Sequence, residues 1–191
     1  KQVDSKYKPI VMAAAQKEGY TPCDYFTNNH IIYTEYDNWA PQNTDGKYGG
    51  VYSMEGTLVH SVNCAAVDAI IQTGTKPVID MARKLGITAD LPSVPSLALG
   101  TADISLQEMV EAFSVFANNG KKTASYYIKR VENNKGEVIV DFEKERSKDI
   151  QIIPEVNAHL MNQMLKSVAS AGTARGLNSM YTIGAEIAGK T

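Results

Sequence analysis

The chain has 191 residues, 43% of them hydrophobic and 21% charged, which is enough apolar material for one core and for one domain or most of one. A formal net charge of −2 leaves no basic footprint for nucleic acid and no polybasic stretch for an anionic membrane. No apolar run approaches the ~18 residues of a membrane span, and the N-terminus does not read as a signal peptide.

In chain order, the first feature is Ser5-Lys6-Tyr7-Lys8, an S-x-x-K spacing. Residues three apart share a helix face, so the Lys8 amine is expected beside the Ser5 hydroxyl. A serine hydroxyl is a poor nucleophile until a base takes its proton, and a lysine kept neutral by burial or nearby cations can be that base. From Lys8 to Glu18, Ile10, Val11, Ala14 and Ala15 recur at helical spacing; Pro9 suits the first turn and Gly19 the stop. Residues 24–50 mix Asn, Asp, Gly and aromatics, predicting a long irregular segment pinned by Tyr and Trp39 packing. Long ordered loops of this kind often border active sites.

Ser53, with Glu55 in the first turn, opens a helix expected to run to about Ser61. Ser61-Val62-Asn63, an S-x-N, follows directly. Thr75 to Leu85 predicts a helix capped by Thr75 and ended by Gly86. Ser105 to Asn118 and Pro154 to Ser170 carry the clearest 3.6-residue apolar stripes. Between them, Tyr126 to Phe142 places β-branched residues around Asn133-Asn134-Lys135-Gly136, a hairpin pattern, and the charge run Glu143 to Asp149 reads as a solvated loop. The fold class is α+β and predominantly helical, without internal repeats.

Cys23 and Cys64 show no C-x-x-C spacing, and a chain this long does not need a disulfide between them; Cys64 reads as a small buried apolar residue. His30, His60 and His159 share no helical spacing, so neither a metal site nor a cofactor is expected. His60 adjoins Ser61, but sequence neighbours on a helix point in different directions, and it is read as structural.

Each short motif is common by chance, but S-x-x-K, S-x-N and Lys190-Thr191 stand in the order of a known serine acyltransferase set. Longer strings surround them: SKYKPI at Ser5 to Ile10, SVNCAAV at Ser61 to Val67, PSLALG at Pro95 to Gly100, SLQEMVEAFSVFANNG at Ser105 to Gly120, then Gly172-Thr173-Ala174 and Ala188-Gly189-Lys190-Thr191. Together they resemble the transpeptidase domain of class A, bifunctional penicillin-binding proteins over almost the whole chain. The resemblance implies a penicillin-binding transpeptidase or serine β-lactamase-like fold, with residues 1–191 a partial domain lacking most of its central sheet. It implies Ser5 as nucleophile toward a D-alanyl-D-alanine stem peptide of peptidoglycan and toward β-lactam antibiotics, with Lys8 as general base. Ser61 would relay a proton to the leaving amine, Asn63 would orient Lys8 or the substrate amide, and Lys190 with Thr191 would hold the substrate carboxylate. It also implies a longer, membrane-anchored protein with an upstream glycosyltransferase domain, on the periplasmic side of the bacterial inner membrane.

Two departures from that pattern matter. Where the resemblance leads one to expect glycine before the nucleophile, the chain has Asp4, whose carboxylate would either favour charged Lys8 or, the preferred reading, cap the helix or stand in solvent. The third motif stops at Thr191. By resemblance one oxyanion-hole N–H belongs to Ser5 and the other lies two places beyond Thr191, so the 191-residue chain alone is expected to be a feeble catalyst, with Lys190 and Thr191 frayed away from Ser5. Two other functions compete. A serine β-lactamase needs a deacylating base, commonly in an E-x-x-L-N loop that is absent here, and Glu108, Glu111 and Glu155 read as exposed or salt-bridged helix residues. The other is a noncatalytic scaffold domain using the groove for recognition.

Overall fold

Every side chain from Lys8 to Gln16 is buried, which makes α1 (Lys8–Lys17) the axis of the molecule. The sequence shows an apolar stripe, but neighbours pack against α1 from several sides, and Ala13, Ala14 and Ala15 let them come close. These neighbours are α2 (Met54–Val59), α3 (Asn63–Thr73), α4 (Thr75–Leu85) and α6 (Glu155–Ser170). In this computed structural model residues 2–144, 149–180 and 184–191 are described, the side chains of 178 and 179 excepted.

The second expected helix, from Ser53 to about Ser61, is α2, and a helix that was not expected, α3, follows it. Ser53 caps α2 as read from the sequence, its Oγ accepting from Gly56 N at 3.0 Å. The helix then breaks at Ser61, whose backbone is left-handed at φ +56°. α3 follows with Cys64 to Val67, Ala69 and Ile70 all buried. Buried on nearly every side, it offers no one-sided stripe for periodicity to find.

α4 ends at left-handed Gly86, as expected, but starts on Gly74; the hydroxyl of Thr75 pairs with Ser93 Oγ at 2.8 Å instead of capping. α5 (Leu106–Ala117) has a full capping box between Ser105 and Glu108, and α6 begins after Pro154, both as the stripes predict. A short α7 (Gly176–Met180) ends the helical set among the described residues. None of these helices is long and apolar enough to cross a membrane.

The described strands form three separate antiparallel pairs: β1 (Tyr25–Thr27) with β2 (Val51–Ser53), β3 (Lys121–Lys122) with β6 (Ile150–Gln151), and β4 (Arg130–Glu132) with β5 (Val138–Asp141). The last is the expected hairpin. Its turn is held by Asn133 Oδ1, which accepts from Lys135 N at 2.9 Å and Glu137 N at 3.0 Å. In the charge run, Glu143, Lys144 and Asp149 are exposed, with Asp149 accepting from Thr123 Oγ1 at 2.7 Å; residues 145–148 lie outside the described set. In the long segment before α2, Tyr33 stacks on Trp39 with ring centroids 5.9 Å apart, and β1 ties its start to β2.

Candidate active site

Ser5 sits in a 3-10 turn (Asp4–Tyr7) that runs straight into α1, and Lys8 is the first residue of that helix. Pro9 follows in the first turn, where its missing N–H costs nothing. The spacing therefore delivers what the sequence promised, Lys8 Nζ 3.1 Å from Ser5 Oγ. Gly100, at φ +74°, braces the turn from behind. Its carbonyl accepts from Asp4 N at 3.3 Å, and a Cβ on it would fall 2.1 Å from Asp4 O, so only glycine permits this approach.

Four oxygens surround the fully buried amine of Lys8: Asn63 Oδ1 at 2.6 Å, Ser61 O at 2.7 Å, and the hydroxyls of Ser5 and Ser61 at 3.1 Å each. Burial, and secondarily the charge of Lys190, push its pKa down to about 7. A neutral amine has two N–H bonds and one lone pair. The two closest oxygens are a carbonyl and an amide oxygen, which can only accept, so they take the two N–H bonds. The lone pair is left for a hydroxyl, and Ser5 O–H can donate to it.

Lys190 and Thr191 do not fray. Lys190 is buried and its Nζ donates to Ser61 Oγ at 3.0 Å. Gly189 N donates to Leu165 O of α6 at 3.2 Å, and the Thr191 hydroxyl pairs with that of Thr173 at 2.6 Å. Thr173 is itself fixed, its N–H donating to Val59 O at 3.2 Å. The expectation that the third motif lies away from Ser5 is thus corrected, because hydrogen bonds to α6, to Thr173 and to Ser61 tie this end down. Burial first, and then Lys6, bring the pKa of Lys190 down to about 8.

Asp4 is exposed and left-handed at φ +52°; the turn's cap position is Val3, and no side chain caps it. It stands in solvent, and burial and Lys190 are the influences on the pKa of Lys8, with no opposing pull from Asp4 among them. Its φ also explains why glycine suits the position. His60 is exposed and packs edge-on against Tyr52, with ring centroids 6.0 Å apart, as a structural residue would. Cys64 is buried under Pro41. Both Glu108 oxygens are engaged by Ser105, Thr88 and Ala89; against a burial effect that would raise it, the bonds from Ser105 and Thr88 hold its carboxyl down to about 2. Glu111 accepts from Gln107 and Ser125.

Sequence reasoning missed what stands behind Asn63. Its Nδ2 donates to Gln42 O at 2.7 Å, and its backbone N–H and that of Cys64 donate to Asn43 Oδ1 at 2.9 and 3.0 Å. Asn43 is buried in turn against Asn28. The only sequence signal was the Asn-rich composition of the loop, which marks turns and not partners. A polar cavity of about 380 Å³ opens beside this loop, bordered by Asp45, Lys47, Tyr52, His60, Ser61 and Thr173. An apolar groove of about 340 Å³, bordered by Leu106, Met109, Val110, Phe113, Lys6 and Lys190, lies on the α5 side. The Lys190–Ser61 hydrogen bond links the two.

Residues 2–191 match the family model described as penicillin binding protein transpeptidase domain. The chain is 29% identical over 194 residues to penicillin-binding protein 1A of Aquifex aeolicus, covering all of this chain and 26% of the relative. It is likewise 29% identical over 198 residues to penicillin-binding protein 1A of Neisseria lactamica, covering 25% of that protein. The chain thus spans about a quarter of the curated relatives it matches. Among solved structures, penicillin-binding protein 1A from Haemophilus influenzae superposes with a TM-score of 0.85 at 23% identity, over 95% of this chain and 33% of that one. Penicillin-binding protein A from M. tuberculosis, as an imipenem acyl-enzyme complex, gives 0.86 at 18% identity, over 98% and 47%. Those two likenesses establish the fold.

Proposed function

The chain belongs to the penicillin-binding protein transpeptidase family, and on that premise we propose that it carries the catalytic core of a serine D-alanyl-D-alanine transpeptidase. The observation that carries the reading is the neutral-prone Lys8, held 3.1 Å from Ser5 with both its N–H bonds directed to obligate acceptors.

Ser5 Oγ attacks the carbonyl of the penultimate D-alanine while its proton passes to the Lys8 lone pair. The tetrahedral adduct collapses by breaking the bond to the terminal D-alanine. That leaving amine takes a proton from Lys8 through the Ser61 hydroxyl, which bridges Lys8 and Lys190. An amine on a second peptide strand then attacks the ester, restores the Ser5 hydroxyl and completes the cross-link. Asn63 orients Lys8. Lys190 offers its charge, and Thr191 its hydroxyl, to the substrate carboxylate. A β-lactam would acylate Ser5 in the same way, but its ring opens without losing the amine, so the ester persists.

A further part of the reading concerns the longer protein: action at the periplasmic side of the inner membrane, with an anchor and a glycosyltransferase domain upstream. The β-lactamase alternative is disfavoured by the engagement of Glu108 and Glu111 with other partners. Solvent-facing Asp4 removes the main support for a noncatalytic scaffold. The test is intact mass after incubating the longer protein with a labelled penicillin. One adduct on wild type and none on Ser5→Ala is expected; an adduct that survives Ser5→Ala overturns the assignment.

A further inference from the structure

All four hydrogen-bonding positions of the Asn43 amide are used. Oδ1 accepts from Asn63 N at 2.9 Å and Cys64 N at 3.0 Å; Nδ2 donates to Asn28 Oδ1 at 2.6 Å and Lys47 O at 2.7 Å. Behind it, Asn28 Nδ2 donates to Lys47 O and Gly49 O, each at 3.3 Å. Asn43 is 9% and Asn28 3% exposed, so this is a satisfied polar network inside the protein. It has a specific target. α3 has no side-chain cap of its own at Val62, and its leading N–H groups are the orphans every helix start leaves. Asn43 supplies that cap from twenty residues away.

The helix start so fixed carries Asn63. A side-chain amide can sit either way round, and its orientation decides what Lys8 meets. Here Gln42 O, the residue next to Asn43, accepts from Asn63 Nδ2 at 2.7 Å, which turns Oδ1 toward Lys8 Nζ at 2.6 Å. The reversed amide would aim an N–H at the amine and occupy the lone pair that Ser5 needs. We propose that Asn43, backed by Asn28, is a positioning residue of the catalytic centre: it fixes the start of α3 and the Gln42 carbonyl, and through Asn63 it keeps the Lys8 lone pair free for Ser5. The loop it anchors also borders the polar cavity beside Ser61.

The inference rests on the reading of Ser5 as nucleophile. That reading is judged on wild type against Ser5→Ala; the inference is judged on Asn43 variants against a wild type that labels. The two therefore fail separately. The measurement uses the longer protein and a labelled penicillin near pH 9, where Lys8 is largely neutral, and records the labelled fraction at completion and the rate at which that fraction forms. A merely structural role would lower the fraction. Positioning lowers the rate: Asn43→Ala should label ~10–100-fold more slowly, the scale on which a small misplacement of a reacting group acts. A wild-type rate in Asn43→Ala overturns the proposal, as does a lowered labelled fraction that forms at the wild-type rate. Should Asn43→Ala not fold, Asn28→Ala removes only the backing, and there a rate severalfold below wild type supports it while an unchanged rate overturns it.

Discussion

Lys8 is held from two sides that are built differently. On the Ser5 side everything is local: Ser5 and Lys8 lie three residues apart on one continuous turn, with one glycine carbonyl behind. On the Asn63 side the geometry is assembled from distant pieces, since α3 is capped by a loop residue and the chain's far end reaches Ser61 through Lys190. A local device is specified by spacing and survives loop variation. A non-local one depends on buried polar bonds, each of which costs ~1–3 kcal/mol when left unmade.

The comparison can be broken first at its centre. Lys8→Ala removes the group that both sides hold, and acylation should fall by ~10²–10⁴ as general-base assistance is lost; stopped-flow labelling of the longer protein measures it. Equal rates would mean the proton goes elsewhere. The local side has its own weak point in Gly100, where any side chain meets the Asp4 backbone at 2.1 Å. Gly100→Ala should cost ~2 kcal/mol or more of stability, read by denaturant unfolding, because backbone must move on both sides of the contact.

The two sides also differ in how they respond to pH. With neutral Lys8 as the proposed base, acylation should rise as pH climbs through about 7. Lys190, on the non-local side, helps to lower that pKa by its charge. Lys190→Met removes the like charge, so the pKa of Lys8 rises and the limb moves to higher pH, by less than burial alone contributes. A limb moving to lower pH would contradict the sign. The smallest effect belongs to Asp4→Gly, which relieves a left-handed residue outside the amine's surroundings. It should raise stability by ~0.5–1 kcal/mol and leave the pH profile of acylation in place.

The same division marks what could be read from the sequence. The S-x-x-K turn, the Ser53 cap, the capping box of α5 and the Asn133–Gly136 hairpin turn all rest on contacts within a few residues, and spacing rules describe such contacts directly. α3 escaped because burial on nearly all sides erases the amphipathic signal, and the left-handed break at Ser61 carries no glycine to announce it. Lys190 was misjudged for the opposite reason. Position near a chain end suggested fraying, whereas three tertiary hydrogen bonds outweigh it. Asn43 looked like one more turn residue because its partners are twenty residues on.

The three lysines at the site form a graded series: Lys6 at the surface, Lys190 below it and Lys8 innermost, each helping to lower the pKa of the next. Lys8 is the one held neutral as a base, while exposed Lys6, and Lys190 below a pH of about 8, keep positive charge at the entrance of the site although the formal net charge of the chain is −2. The reach of that positive charge is set by the ions around it, about a Debye length of ~8–10 Å in physiological salt. On the proposed function, an anionic ligand would be attracted toward Ser5 before contact, and added salt should weaken that attraction and slow encounter. A ligand stripped of its terminal carboxylate would lose that part of the attraction, so on this reading the lysines would begin to sort ligands by charge while they are still diffusing.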